Sequence, residues 1–206
     1  MKKIELVLRE ILYNAIEKKN KTMTQLELAK ALNISISTVN LAIKPLKAMN
    51  AVNVKLKNFV VIDTRKILFY WASLRNLEKD IIYKTRAEMP VRNIESLMPA
   101  KVIYGCYSAY KFKLEDVPAD YSEVYVYLEE EYLEDIKKRF PPSNKPPNLF
   151  ILKKDSRMDL CLDLVRNIRI TTTAQLFVDL WNLREWYAKD FLTAFENRLK
   201  KEKIFD

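Results

Sequence analysis

Between Ile4 and Asp63 the spacing of apolar residues changes in a way that few folds accommodate. Ile4, Val7, Leu8, Ile11, Leu12 and Ala15 recur at the i, i+3, i+4 intervals of one helical face. They predict a long amphipathic helix with Glu5, Arg9, Glu10 and Lys18 off its apolar side. Thr24-Gln25-Leu26-Glu27 has the form of a capping box, in which a hydroxyl and a carboxylate each accept the other residue's amide. It starts a second helix, with Leu26, Ala29 and Leu32 expected to face inward. A short polar turn, Asn33 to Ser37, leads to a third helix over Thr38, Val39, Ala42, Ile43 and Leu46, whose buried stripe is Val39, Ile43 and Leu46. Val52 to Lys55 and Phe59 to Asp63 are short β-branched runs separated by Leu56-Lys57-Asn58, as in a tight hairpin.

The order helix, helix, turn, helix, hairpin, carried by Thr24-x-x-Glu27-Leu28-Ala29-x-x-Leu32-x-Ile34-Ser35-x-Ser37-Thr38-Val39, resembles the core of prokaryotic winged-helix regulators over Thr22 to Asp63. The resemblance implies a DNA-binding domain over residues 1–63. Independent of it, a helix fits the B-DNA major groove, and the residues on its outer face near its start touch base edges. Here these are Ser35, Ser37, Thr38, Asn40, Leu41 and Lys44, with Lys47 beside the backbone and Thr24 and Gln25 at the start of the preceding helix. Lys55, Lys57 and Asn58 are expected to crown the hairpin. Pro45 lies inside the reading helix, has no amide for the Leu41 carbonyl, and should kink it or loosen its last turn.

Charge is distributed unevenly. Residues 1–80 carry 15 Lys and Arg against 7 Asp and Glu, whereas residues 81–206 carry 21 against 20. A basic first part joined to a near-neutral remainder suits one end that meets a polyanion. Composition also removes much chemistry. The chain has no histidine, so neither a Ser-His-Asp nor a Cys-His arrangement can be built. Its single glycine, Gly105, cannot supply a phosphate-cradling loop. Cys106 and Cys161 do not form a CxxC pair and read as buried thiols in a reducing compartment. No enzyme, metal or cofactor is expected. Glu5, Arg9 and Glu10 interrupt any signal-peptide run and no stretch approaches membrane-span length, which places the protein in the cytoplasm.

After the hairpin, Asp63 is a plausible N-cap for a connecting helix over residues 64–80, with Ile67, Tyr70, Trp71, Leu74 and Leu77 at helical spacing. From Ile81 onward, short apolar runs alternate with helical stretches: Ile81–Lys84, Val91–Met98, Lys101–Tyr104, Tyr107–Phe112, Val124–Leu128, Tyr132–Phe140 and Leu149–Leu152. This predicts an α/β domain over residues 81–206, with the strand at Val124–Leu128 central, the proline-rich 141–147 an extended loop, and C-terminal helices. The last helix is expected from Glu185 to Glu202, burying Trp186, Phe191, Leu192, Phe195 and Leu199. The fold class is α+β.

Val102-Ile103-Tyr104-Gly105-Cys106-Tyr107-Ser108-Ala109, followed by the Val124 strand, looks like the start of nucleotidyltransferase folds. There a Gly-Ser turn holds triphosphate and an Asp-x-Asp pair binds metals. Cys106 stands at the serine, and Glu123 and Tyr125 stand near the expected aspartates, so the resemblance implies a non-catalytic scaffold. Gln175-Leu176-Phe177-Val178-Asp179-Leu180 resembles a motif near the C-terminus of AbiEi-type antitoxins. That family implies a winged-helix repressor of its own operon whose partner toxin is a nucleotidyltransferase, with double-stranded DNA as ligand and a homodimer as a further option. Two alternatives stand beside this reading. One is an active magnesium-dependent nucleotidyltransferase using Glu123 with Glu129 or Glu130; the other is an interaction module whose winged helix docks on protein.

Overall fold

The computed structural model describes residues 1–205, which divide into two compact units. The first comprises Met1–Arg75 with Thr173–Val178 and Thr193 onward; the second comprises Asn76–Thr172 with Asp179–Leu192.

In the first unit α1 (Lys3–Ile16), α2 (Gln25–Leu32) and α3 (Ile36–Ala48) precede the hairpin β2 (Val52–Val54) and β3 (Phe59–Val61), followed by α4 (Thr64–Leu74). A two-residue strand, β1 (Thr22–Met23), adds to the hairpin, giving the sheet order β1-β3-β2, antiparallel throughout. Helix α1 packs on α3 and α4, and Leu8, Ile11, Val39, Leu46, Ile67 and Trp71 fill the junction with essentially no exposed surface. Each such side chain stabilises the unit by about 1.5–3 kcal/mol through removal of apolar area from water.

Two expectations for this unit fail, in opposite directions. Glu5, Arg9 and Glu10 are buried, because α1 is enclosed on more sides than a one-faced amphipathic helix. Glu5 reaches Arg75 at 3.8 Å and accepts the Trp71 indole N–H at 3.4 Å. In α2 the buried pair is Leu28 and Ala29, and Leu26 is 49% exposed, because the helix turns its Leu28 edge to the core.

With one glycine in the chain, left-handed helix stops fall to other residues, two of them asparagines. Asn33 and Asn50 adopt the left-handed conformation, φ 51° and 56°, after α2 and α3. In each case the next residue's amide closes back across the last turn, Ile34 to the Ala29 carbonyl at 3.0 Å and Ala51 to the Leu46 carbonyl at 2.8 Å. Asparagine visits this region at lower cost than other Cβ-bearing residues. Asn50→Ala should therefore lower unfolding stability by about 1 kcal/mol, while Asn50→Gly should leave it within about half of that. Urea midpoints of the two variants check the ordering, and equal midpoints would contradict the left-handed stop.

The C-terminal parts of this unit contribute to its own core. The Phe177 ring meets Phe69 edge-on at 5.4 Å, Phe205 packs on both, and the Thr64 hydroxyl donates to the Ile204 carbonyl. The Thr173 amide donates to the Glu17 carboxylate at 2.9 Å.

The second unit is built on β4 (Ile81–Thr85), β5 (Ile103–Gly105), β6 (Val124–Leu128), β7 (Leu149–Lys153), β8 (Leu162–Val165) and β9 (Ile168–Thr171) in the order β4-β7-β6-β5-β9-β8. The sheet is mixed: β6 and β7 run parallel, as do β5 and β9, and the remaining pairs are antiparallel. β6 lies inside the sheet with all five residues buried, as its apolar character on both parities predicts. Helices α5 (Val91–Ser96), α6 (Cys106–Leu114) and α7 (Leu133–Arg139) connect the strands. Gly105 lies close under the Tyr127 ring, where a Cβ would stand 3.2 Å from it, so a larger residue would have the ring shift. The proline-rich 141–147 stretch forms no regular element, and Asn148 anchors its end with a reciprocal amide pair to Ala87 at 2.8 and 3.0 Å.

The chain ends in α8 (Thr173–Trp181) and α9 (Ala188–Lys201). α9 starts three residues later than its apolar pattern suggests, and Trp186, expected in its core, is 80% exposed in the turn before it. Asp179 is fully buried, and its carboxylate accepts the Tyr127 hydroxyl at 2.6 Å. Among the described residues no helix is long and apolar enough to cross a membrane.

Candidate nucleic-acid interface

Helix α3 is held at both ends by local bonds. The Ser35 hydroxyl caps its start, accepting the Thr38 amide at 3.2 Å, and also bonds the Ser37 and Thr38 hydroxyls at 2.8 and 2.9 Å. Thr24 caps α2 in the same way, accepting the Glu27 amide at 3.1 Å while Glu27 accepts the Thr24 amide at 3.0 Å. Thr24 and Ser35 therefore position the two helices, and Gln25 sits half-buried at the first turn of α2. Pro45 does not end α3, which continues as an α-helix to Ala48 and closes with Met49 donating to the Pro45 carbonyl at 3.1 Å.

Helical geometry sorts the rest. Val39, Ala42, Ile43 and Leu46 are buried, so Ser37, Asn40, Leu41, Lys44 and Lys47, displaced around the axis, form the outward stripe. Asn40 is exposed and its side chain makes no hydrogen bond among the described residues, leaving the side-chain amide free to donate and accept as adenine's major-groove edge requires. Leu41 is 62% exposed and presents an apolar surface of the kind that contacts a thymine methyl. Ile36 and Leu26 add half-exposed apolar surface to the same α2–α3 region. Hydropathy alone assigns such residues to a core, and the register against Leu28 and Val39 is the sequence signal that separates them.

The hairpin presents a second basic element. Val52 pairs with Val61 and Val54 with Phe59, and Lys55 donates to the Asn58 carbonyl at 2.7 Å to close the turn. Leu56 is 98% exposed at the tip, with Lys55 and Lys57 exposed on either side. Asn58, expected at the crown, is half-buried with its side-chain oxygen enclosed, so it shapes the turn and the tip belongs to Leu56 and Lys57.

The electrostatics are one-signed. From Leu28 to Ile62 the chain contains five lysines and no aspartate or glutamate. Lys44, Lys47, Lys55 and Lys57 are all exposed, and none of their ammonium groups makes an ion pair or hydrogen bond among the described residues. Four cations without counter-charges on one helix and one hairpin concentrate positive potential where a groove-binding helix meets phosphates.

The second unit gathers tyrosines and glutamates around the Gly105–Cys106 turn. Cys106 opens α6 at φ 49° and is buried, as is Cys161. Tyr107 and Tyr125 donate to Glu185 at 3.1 and 3.5 Å, and Tyr187 donates to Glu123. Burial, reinforced by Glu185, raises the Tyr107 and Tyr125 hydroxyls far above the usual tyrosine range, and burial with the Glu123 hydrogen bond pushes Tyr187 up to about 12. These tyrosines are neutral donors that hold the glutamates. Glu129 pairs with Lys154 at 2.8 Å and Glu130 with Lys153 at 2.7 Å. Among the described residues no group of three His, Cys, Asp or Glu side chains is arranged to hold a metal ion.

Residues 7–52 match the family model of winged helix-turn-helix DNA-binding domains. No curated protein and no solved structure matches the chain. The N-terminal unit thus carries a winged helix-turn-helix domain, with α3 in the position of the reading helix and β2–β3 as the wing.

Proposed function

We propose that the protein is a DNA-binding transcriptional regulator of the AbiEi-antitoxin type, whose winged helix reads operator DNA. The observation that carries the DNA-reading part is the outward stripe of α3, where Asn40, Leu41, Lys44 and Lys47 stand exposed beside the two wing lysines in a stretch without acidic residues. A surface built to dock on protein would hold fewer unpaired cations at its centre, because charged groups are depleted there.

The second unit is the partner-recognising part and is not catalytic. Its order of β5, Gly105-Cys106 turn, α6 and β6 supports a nucleotidyltransferase-like scaffold. Glu123, Glu129 and Glu130, the carboxylates that catalysis with magnesium would call on, are each engaged by a tyrosine or a lysine. The antitoxin resemblance makes the partner a nucleotidyltransferase toxin, with a second copy of the chain as the other candidate.

A gel-shift titration of the full chain on its own upstream DNA tests the reading, and absence of binding even at low salt overturns it. Where binding is found, Asn40→Ala should weaken the preferred site by about 5- to 150-fold, the worth of one amide–adenine pair, and leave random duplex unaffected. Equal weakening on both would assign Asn40 to the backbone.

A further inference from the structure

We propose that the second unit holds a binding site for a small amphipathic molecule carrying one anionic group. A cleft of about 600 Å³ opens among α5, the segment leading into β5, the end of α6 and the start of β9. This is within the range of pockets that take small ligands. It continues toward a smaller cavity of about 230 Å³ that shares Lys111, Phe112 and Ile168 with it.

Its chemistry is built in two parts. Glu95 is 6% exposed, and its carboxylate is held by the Lys111 ammonium and by the Tyr121 hydroxyl at 2.8 Å, while the Tyr104 hydroxyl donates to its carbonyl at 2.6 Å. Burial and the Glu95 charge push Tyr104 up to about 12, so its hydroxyl stays a neutral donor across the neutral range. An ammonium has three donors, and the partly exposed Lys111 retains capacity beyond Glu95. Arg169 is committed to Asp159 and to the Lys101 carbonyl. Arg92 lines the cleft, is exposed, and has no ion pair or hydrogen bond among the described residues.

One cation without a counter-charge calls for one anionic group. A di- or triphosphate would need several. The remaining wall, Met98, Val102, Phe112 and Ile168, is apolar and suits a flat hydrocarbon body. A carboxylate or sulfonate facing Arg92 and Lys111, with an aromatic body against Phe112, satisfies both parts. None of these residues belongs to the winged helix, so the site stands or falls independently of DNA reading.

The test is a fluorescence titration of the full chain with 8-anilinonaphthalene-1-sulfonate and with N-phenyl-1-naphthylamine, the same body without the sulfonate. One sulfonate probe should bind per chain, saturably and at least five-fold more tightly than the neutral probe. Arg92→Glu should abolish that difference with no change in melting temperature, since Arg92 is exposed and unpaired. Leu160→Lys, which removes an exposed apolar residue outside the cleft, should leave binding as it was. Unsaturable uptake, equal affinity for both probes, or a sulfonate preference that survives Arg92→Glu would each overturn the proposal.

Discussion

Raising salt from about 50 to about 200 mM should weaken binding of the full chain to duplex DNA about 150-fold. The figure follows from the charges of the interface. Among the described residues Lys44, Lys47, Lys55 and Lys57 have no counter-charge, so each releases condensed counterions when it meets a phosphate. Four such contacts give a slope of roughly −3.6 in log affinity against log salt, at about −0.9 per phosphate. The double variant Lys44→Ala/Lys57→Ala should halve that slope and leave a salt response of about 12-fold, with the loss shared by all sequences because phosphates carry no sequence information. Lys189→Ala, an exposed lysine of the second unit, should leave the slope unchanged. Fluorescence anisotropy on a labelled duplex at four salt concentrations reads all three. A slope that the double variant does not alter would place the DNA contact elsewhere on the molecule.

Helix α3 and the β2–β3 hairpin were legible in the sequence because their signals are local. The Thr24 capping box, the Val39–Ile43–Leu46 spacing and the β-branched runs around Leu56-Lys57-Asn58 each depend on residues within one or two turns of each other. What α3 exposes follows from what it buries. The strand of the second unit at Val124–Leu128 was legible for a related reason, since apolar residues on both parities mark a strand covered on both faces.

The parts that were not legible depend on contacts across long separations or on unusual turn chemistry. β8 and β9 escaped because Asp163 and Arg169 break their apolar pattern and because their two-residue turn is Arg166-Asn167, both at positive φ, where Asn-Gly would have marked a hairpin. Trp186 was placed in a core on hydrophobicity alone, though the α9 stripe proper begins with Ala188 and Phe191. In the candidate interface, Asn58 lies two residues from the fully exposed Leu56, and only the turn-closing bond from Lys55 decides which of them forms the tip. The burial of Glu5 was hidden because Arg75, which it meets, lies 70 residues away.

Those charges make the first unit sensitive to a substitution that the sequence would class as harmless. Glu5→Ala should destabilise it by up to about 3–5 kcal/mol, the range for removing one partner from a buried ion pair. The Arg75 side chain is 1% exposed and that of Glu5 4%, so water cannot replace the lost carboxylate, and the Trp71 indole loses its acceptor at the same stroke. Replacing both ends, Glu5→Leu/Arg75→Leu, should recover most of the loss, because a buried ion pair is often worth little more than well-packed apolar residues in its place. Trp71 is fully buried in this unit while Trp181 and Trp186 are exposed, so a Trp181→Phe/Trp186→Phe background makes indole fluorescence report the first unit alone. Urea titrations in that background separate the outcomes. A Glu5→Ala loss under about 1 kcal/mol would mean that water or another acceptor compensates Arg75, and a double variant as unstable as the single would mean that the pair's contribution exceeds that of apolar packing.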